Sequence, residues 1–144
     1  VETPENSPPE ATAEAEPEAR GRWWSAQRRL RERRGRSAER LAALWLQVKG
    51  YRILARRART PGGEIDLIAV RGRILAFVEV KARANLAFAI EAVTPQAQLR
   101  IEQAARLWVS RRRHLAQKNW RFDIMAIVPG RLPRHVRDAW RARQ

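Results

Sequence analysis

No cysteine occurs among the 144 residues, which excludes disulfide staples, thiolate metal sites and cysteine nucleophiles. Histidine is nearly as scarce: His114 and His135 are too few for a usual structural zinc site, so any metal would have to be held by oxygen. No apolar run approaches the roughly 18 residues needed to cross a bilayer, and the N-terminus lacks the basic-then-apolar layout of a secretory signal. A cytoplasmic location without membrane attachment is the default expectation. Zinc-finger, glycine-rich nucleotide-loop and RNP-type aromatic motifs are also missing, so no nucleotide cofactor is expected.

Acidic residues number 15 against 30 Lys and Arg, a formal net charge of +15. They are unevenly spread. Residues 1–20 carry six Glu and one Arg, which leaves +20 on the remainder. That first segment is rich in Pro, Glu and Ala and cannot bury enough apolar surface to offset its ordering entropy, so it reads as a disordered acidic tail. Residues 21–144 read as one domain, with 21–34 as a basic helical extension. A domain this basic attracts a polyanion, and DNA is the first expectation, with RNA as the alternative.

From about Arg22 to Lys49 apolar residues recur at spacings of three and four, including Ala38, Leu41, Ala42, Leu44, Trp45 and Val48. This is a helical pattern, with Ser37 as a cap for its second part and Gly50 as its stop. Trp23 and Trp24 are expected to fold back on the domain. YRILARRAR is a strand followed by a TPGG turn, and GEIDLIAV and RILAFVEVKAR form a hairpin about Arg71-Gly72. Their middles are apolar on both faces, which predicts a sheet covered on both sides. TPQAQLRIEQAARLWVSRRRHLAQK is a helix capped by Thr94, with Ile101, Ala104, Ala105, Leu107 and Trp108 as its buried stripe. WRFDIMAIV is a further strand, and PGRLPRHVRDAW holds a turn and a short last element. Trp108 and Trp120 suit a core; Trp140 is open between core, interface and base stacking.

The hairpin carries the chemistry. A two-residue turn at Arg71-Gly72 sets Glu64 opposite Glu79 and Asp66 opposite Phe77, so that Glu64, Asp66, Glu79 and Lys81 share one face. Ile65, Leu67, Ile74, Ala76, Val78 and Val80 take the other. Like charges across a strand pair repel, and a divalent cation is the simplest reason to tolerate them. Carboxylates without thiol or imidazole favour Mg²⁺ or Mn²⁺. Asp66 and Glu79 are then the metal ligands, with the Val80 carbonyl as a further one, and the reaction expected is phosphodiester hydrolysis. Lys81 orients the attacking water or neutralises charge on the phosphate. The competing reading is a surface hairpin whose acids pair with neighbouring arginines.

GEIDLIAVRGRILAFVEVKAR, together with GRSAERLAALWLQVKGYRIL, AVTPQAQLR and RFDIMAI, resembles the YraN family (uncharacterised protein family 0102) over about residues 35 to 128. That family is similar to archaeal Holliday-junction resolvases and other PD-(D/E)xK nucleases. The resemblance implies an α/β, restriction-endonuclease-like fold with a mixed central sheet flanked by helices. It also implies that Glu39 completes the acidic site; on pattern alone, Glu39 reads more readily as a solvated glutamate near a helix start. Glu64 falls in the family's GEID motif and is auxiliary, as is Gln98. The family's usual lysine near the start of the later helix is replaced by Ala97, leaving Gln98 and Arg100 to reach phosphate.

Arg56, Arg57 and Arg59 form one basic cluster, Arg111, Arg112 and Arg113 another, and Arg22 to Arg36 a third. Arg56, Arg57, Arg59, Arg83 and Arg100 are the expected nucleic-acid contacts, fixing position and strength rather than base sequence. The leading expectation is a metal-dependent DNA endonuclease, acting on branched or repair and recombination DNA. The alternatives are a non-catalytic nucleic-acid-binding module and a structural scaffold for an acidic protein. A two-fold homodimer would suit symmetric strands.

Overall fold

The two apolar stretches of the hairpin lie within a five-stranded sheet in the computed structural model, which describes residues 17–143. The strands are β1 (Arg52–Thr60), β2 (Gly63–Arg71), β3 (Ile74–Ala82), β4 (Asn119–Ile127) and β5 (Arg134–Trp140), in that spatial order. Helix α1 (Pro17–Val48) precedes them, and α2 (Leu86–Glu91) and α3 (Pro95–Ser110) join β3 to β4. β3 and β4 run parallel, which demands a crossover rather than a tight turn, while the other three neighbouring pairs are antiparallel. The result is a mixed sheet flanked by helices, an α/β arrangement. The chain divides into two compact units, Val1–Gly35 and Arg36–Gln144, and the whole sheet belongs to the second. Of the acidic tail expected over residues 1–20, residues 1–16 lie outside the described residues, while 17–20 form the start of α1 rather than a disordered end; the side chains of Trp23 and Trp24 also lie outside the description.

Both faces of the sheet are covered, as the doubly apolar strands require. On one face Ile65, Ile68 and Phe77 meet Ile101, Ala104 and Trp108 of α3. Phe77, Phe122 and Trp140 stack there with ring centres 5.4 Å apart, so Trp140 is a core residue. On the other face Leu67, Ala69, Val78 and Met125 meet Ala42, Ala43 and Leu46 of α1. Leu44 and Val48, part of the expected apolar recurrence, point to solvent. Ser37 caps nothing, because it lies within α1. The helix stops as expected: Gly50, at φ 90°, lets its own N–H reach Gln47 O and that of Tyr51 reach Leu46 O.

α3 is shorter than the pattern predicts. It ends at Ser110, and only Arg113–Leu115 forms a further 3-10 turn. Arg112 explains the stop, since its guanidinium donates to the Trp108 carbonyl at 3.0 Å and covers the Trp108 ring. Leu107 is exposed rather than part of the buried stripe, and Glu102 takes a buried place instead.

The hairpin loop also differs. Arg71 pairs with Ile74, so the loop is Gly72-Arg73 rather than Arg71-Gly72. Gly72 has φ 58°, a conformation that glycine enters without steric cost, and this places it first in the loop. Every partner moves by two: Leu67 faces Val78 and Ile68 faces Phe77, which brings Asp66 level with Glu79 rather than with Phe77. Two residues are a full period of the pleat, so the shift alone flips no side chain.

Alternation breaks at one point. Ile65 packs on the α3 side and Leu67 on the α1 side, although both are odd-numbered, so Ile65 does not share a face with Leu67 as expected. Asp66 sits at the interruption. Between Arg56, paired with Leu67, and Ala58, paired with Ile65, stands Arg57 at φ 48°, a conformation costing about 1 kcal/mol or more for a residue with a side chain.

The two faces of α1 are separable by mutation. Leu46→Ala is expected to cost about 2–5 kcal/mol in urea denaturation, and Leu44→Ala less than about 0.5 kcal/mol. Equal losses would mean that α1 is rotated from the orientation described.

Candidate active site

β2 and β3 present their acids where their backbone pairing ends. The ladder runs to Leu67 and Val78, and beyond it the Val80 N–H donates to the Asp66 carboxylate at 2.8 Å. This bond fixes the Asp66 side chain and satisfies a backbone donor on the β2 side of β3. The N–H and C=O of one strand residue point toward the same neighbour, so the Val80 carbonyl faces that side too. Lys81 lies 3.5 Å from the Glu79 carboxylate, both largely shielded, with side-chain exposures of 24% and 16%. Asp66, Val80, Glu79 and Lys81 therefore form one group.

The two acids are held in an energetically uncomfortable state. Burial pushes the Glu79 carboxyl up to about 7, helped by the negative charge of Asp66, while Lys81 opposes the shift. Burial raises Asp66 as well, against the lowering effect of the Val80 N–H; Glu39 and Glu64 add to the rise and Lys81 opposes it.

The other two acids of the sequence pattern, Glu39 and Glu64, are paired with arginines. Arg57 Nε donates to Glu39 at 2.7 Å, in the half-buried space where α1 meets β1. Arg59 lies 3.4 Å from Glu64, and both are well exposed. Among the described residues, no group of three or more His, Cys, Asp or Glu side chains is arranged to hold a metal ion. The geometry thus brings together two acids, not the three or four of the sequence pattern. Gln98 donates to the Val93 carbonyl at 3.2 Å, within the turn that precedes α3. Arg56, Arg83 and Arg100 are exposed, and Arg83 donates to the Ala82 carbonyl.

A second polar centre was not singled out by sequence reasoning. Asp123, fully buried on β4, accepts two bonds from Arg121 at 2.8 Å, one from His135 Nε2 at 2.7 Å and one from the Asp138 N–H at 3.0 Å. Lys49 Nζ lies 2.6 Å from His135 Nδ1, which ties the end of α1 to β5. Burial acts to raise the Asp123 carboxyl, but the bonds from His135 and Arg121 outweigh it and hold it below the usual carboxylate range. The Arg-x-Asp spacing in an otherwise apolar strand was the available signal. Asp123 is a fully compensated acid, whereas Asp66 and Glu79 are not.

The folded pKa of Glu79, near 7, exceeds its unfolded value, so the folded state binds the extra proton. This favourable contribution is complete below about pH 4.5 and disappears as pH rises through 7. In EDTA, raising the pH from 5.5 to 8 is expected to remove roughly 2 kcal/mol of stability from the wild type relative to Glu79→Gln. Parallel pH profiles in urea denaturation would contradict the shift.

With this geometry in view, the relatives are informative. Proteins of one family align over most of the chain: one from Paramagnetospirillum magneticum is 53% identical, covering 76% of this chain and 88% of its own length. One from Agrobacterium fabrum is 54% identical, covering 81% and 95%. One from Brucella canis is 58% identical, covering 72% and 82%. The family model matches residues 38–127, which contain the whole hairpin, α3 and β4. The chain belongs to the uncharacterised protein family UPF0102, the YraN family.

Proposed function

We propose that the chain is a Mg²⁺- or Mn²⁺-dependent DNA endonuclease of the PD-(D/E)xK kind, with Asp66, Glu79 and Lys81 as its catalytic residues. The observation that carries this reading is the shielded pair Asp66 and Glu79, the first held by the Val80 N–H and the second 3.5 Å from Lys81, with no arginine salt bridge to either among the described residues. Two carboxylates and the Val80 carbonyl are hard oxygen donors. They suit an ion such as Mg²⁺, which commonly takes one or two protein carboxylates and keeps several waters. When bound, a divalent cation would polarise the scissile phosphate and activate water for attack.

The chain's own groups have separate tasks. The Val80 N–H holds Asp66 in place, so the acid meets its ligand without losing further rotamer freedom. Lys81 keeps its ammonium at the Glu79 carboxylate, where it orients that acid and offers positive charge to a phosphate oxygen. Glu39 is the proposed third acid. It enters the site when Arg57 exchanges its carboxylate for a substrate phosphate, and Arg56, Arg83 and Arg100 supply further phosphate contacts. Glu64 and Gln98 are auxiliary, the first released by Arg59 in the same manner. Hydrolysis forms a bond from water oxygen to phosphorus and breaks the bond to the leaving sugar oxygen, which takes up a proton.

A non-catalytic nucleic-acid-binding module is the second reading, favoured by the ion pairs that occupy Glu39 and Glu64. The deciding experiment is cleavage of labelled branched, duplex and single-stranded DNA with Mg²⁺ and Mn²⁺. Asp66→Ala and Lys81→Ala are each expected to lose cutting by about a hundredfold or more, with binding retained. Cutting that persists in both variants places the chemistry elsewhere, and salt-sensitive binding without any cutting supports the module.

A further inference from the structure

A cavity of about 450 Å³ opens between the end of β1 and the C-terminal half of α3, lined by Arg59, Pro61, Leu107, Trp108, Arg111 and Arg112 among others. Neither Asp66 nor Glu79 lines it, and its wall holds three arginines and no acid. Arg112 is unusually fixed for a half-buried arginine. Its guanidinium carbon lies 4.1 Å from the centre of the Trp108 ring, and the same group donates to the Trp108 carbonyl at 3.0 Å. No salt bridge among the described residues involves Arg111 or Arg112. A planar cation held with one face on an indole presents the other for stacking, and a nucleobase is a natural occupant of such a face.

The remaining walls match the rest of a nucleotide. Arg59 is 83% exposed on its side chain, and its 3.4 Å pair with Glu64 is of the weak, solvent-screened sort that a phosphate can displace. Arg111 is exposed at the C-terminal end of α3, in no salt bridge among the described residues. Leu107 and Pro61 add apolar surface that an inorganic anion would not use. Small-molecule sites run from roughly 300 to 1,000 Å³, so the volume suits one nucleotide and not a duplex.

We propose that this cavity binds a single unpaired nucleotide of a nucleic-acid strand, its base stacked on Arg112 and its phosphates held by Arg59 and Arg111. The proposal rests on the reading that the chain acts on nucleic acid, and it names the structural feature the chain selects. Arg59 pairs across the β1–β2 ladder with Glu64, two residues from Asp66, so β1, which lines the cavity, is hydrogen-bonded to the strand that carries Asp66. An unpaired nucleotide seated there marks the distorted site of an otherwise paired substrate.

The test is fluorescence anisotropy in EDTA with three labelled duplexes: one fully paired, one with a single-nucleotide bulge, and one with the bulged base removed. The wild type is expected to bind the intact bulge about tenfold more tightly than the other two. Arg112→Lys keeps the charge and loses the plane; Leu107→Trp fills the cavity, and unchanged urea midpoints verify that both variants fold. Each is expected to abolish the preference while leaving affinity for the paired duplex unchanged. Equal binding of all three duplexes by the wild type, or a preference that survives either variant, overturns the proposal. Because EDTA removes any cleavage, failure here leaves the catalytic roles of Asp66 and Lys81 standing, and failure of cleavage leaves this measurement readable.

Discussion

The hydrogen bond from the Val80 N–H to the Asp66 carboxylate is the interaction around which this end of the sheet is organised. Backbone pairing between β2 and β3 ends at Leu67 and Val78, and a side chain takes over where a carbonyl would otherwise accept. An unpaired backbone donor in this half-buried place would cost about 1–3 kcal/mol, so the acid has a structural reason to be present. That reason keeps it beside Glu79, where the two charges conflict. Interrupted alternation at Asp66 and the left-handed Arg57 opposite belong to the same local departure from a regular ladder.

Acids elsewhere in the chain show what a settled carboxylate looks like. Asp123 receives four donors and is held below the usual range; Asp66 and Glu79, with a single backbone donor and a single ammonium between them, are pushed above it. Burial acts in the same direction on all three. The difference lies in where the guanidinium groups are: Arg121 serves Asp123, Arg57 serves Glu39 and Arg59 serves Glu64. In a chain with twice as many basic as acidic residues, Asp66 and Glu79 lie close together without an arginine salt bridge to either among the described residues.

Much of the fold was legible because the local signals were strong. Doubly apolar strands announced a sheet buried on both sides, Thr94 and Pro95 marked the start of α3, and Gly50 marked the end of α1. The errors have specific causes. Periodicity counted Leu44 and Val48 as apolar without being able to rank them against Ala43 and Leu46, because which arc of a helix is buried depends on what lies beneath it. The α3 pattern ran on through the arginines because nothing in composition shows that Arg112 folds back on Trp108. The one-residue error in the hairpin loop came from assigning the turn by residue type, when the left-handed backbone at Gly72 decided it.

For the candidate site the division is similar. By itself, the sequence determined that four ionisable residues would stand at alternate positions of one hairpin, since period-two geometry is a property of any strand, and that any metal donors would be oxygens, since the chain has no cysteine and little histidine. Only the tertiary structure decided which acids conflict and which are neutralised. Register brought Asp66 level with Glu79, the packing of α1 and β1 delivered Arg57 to Glu39, and the β1–β2 ladder set Arg59 beside Glu64. Those outcomes rest on distances between residues far apart in the chain, and carboxylate electrostatics change over a few ångströms, a scale that spacing along a sequence does not resolve.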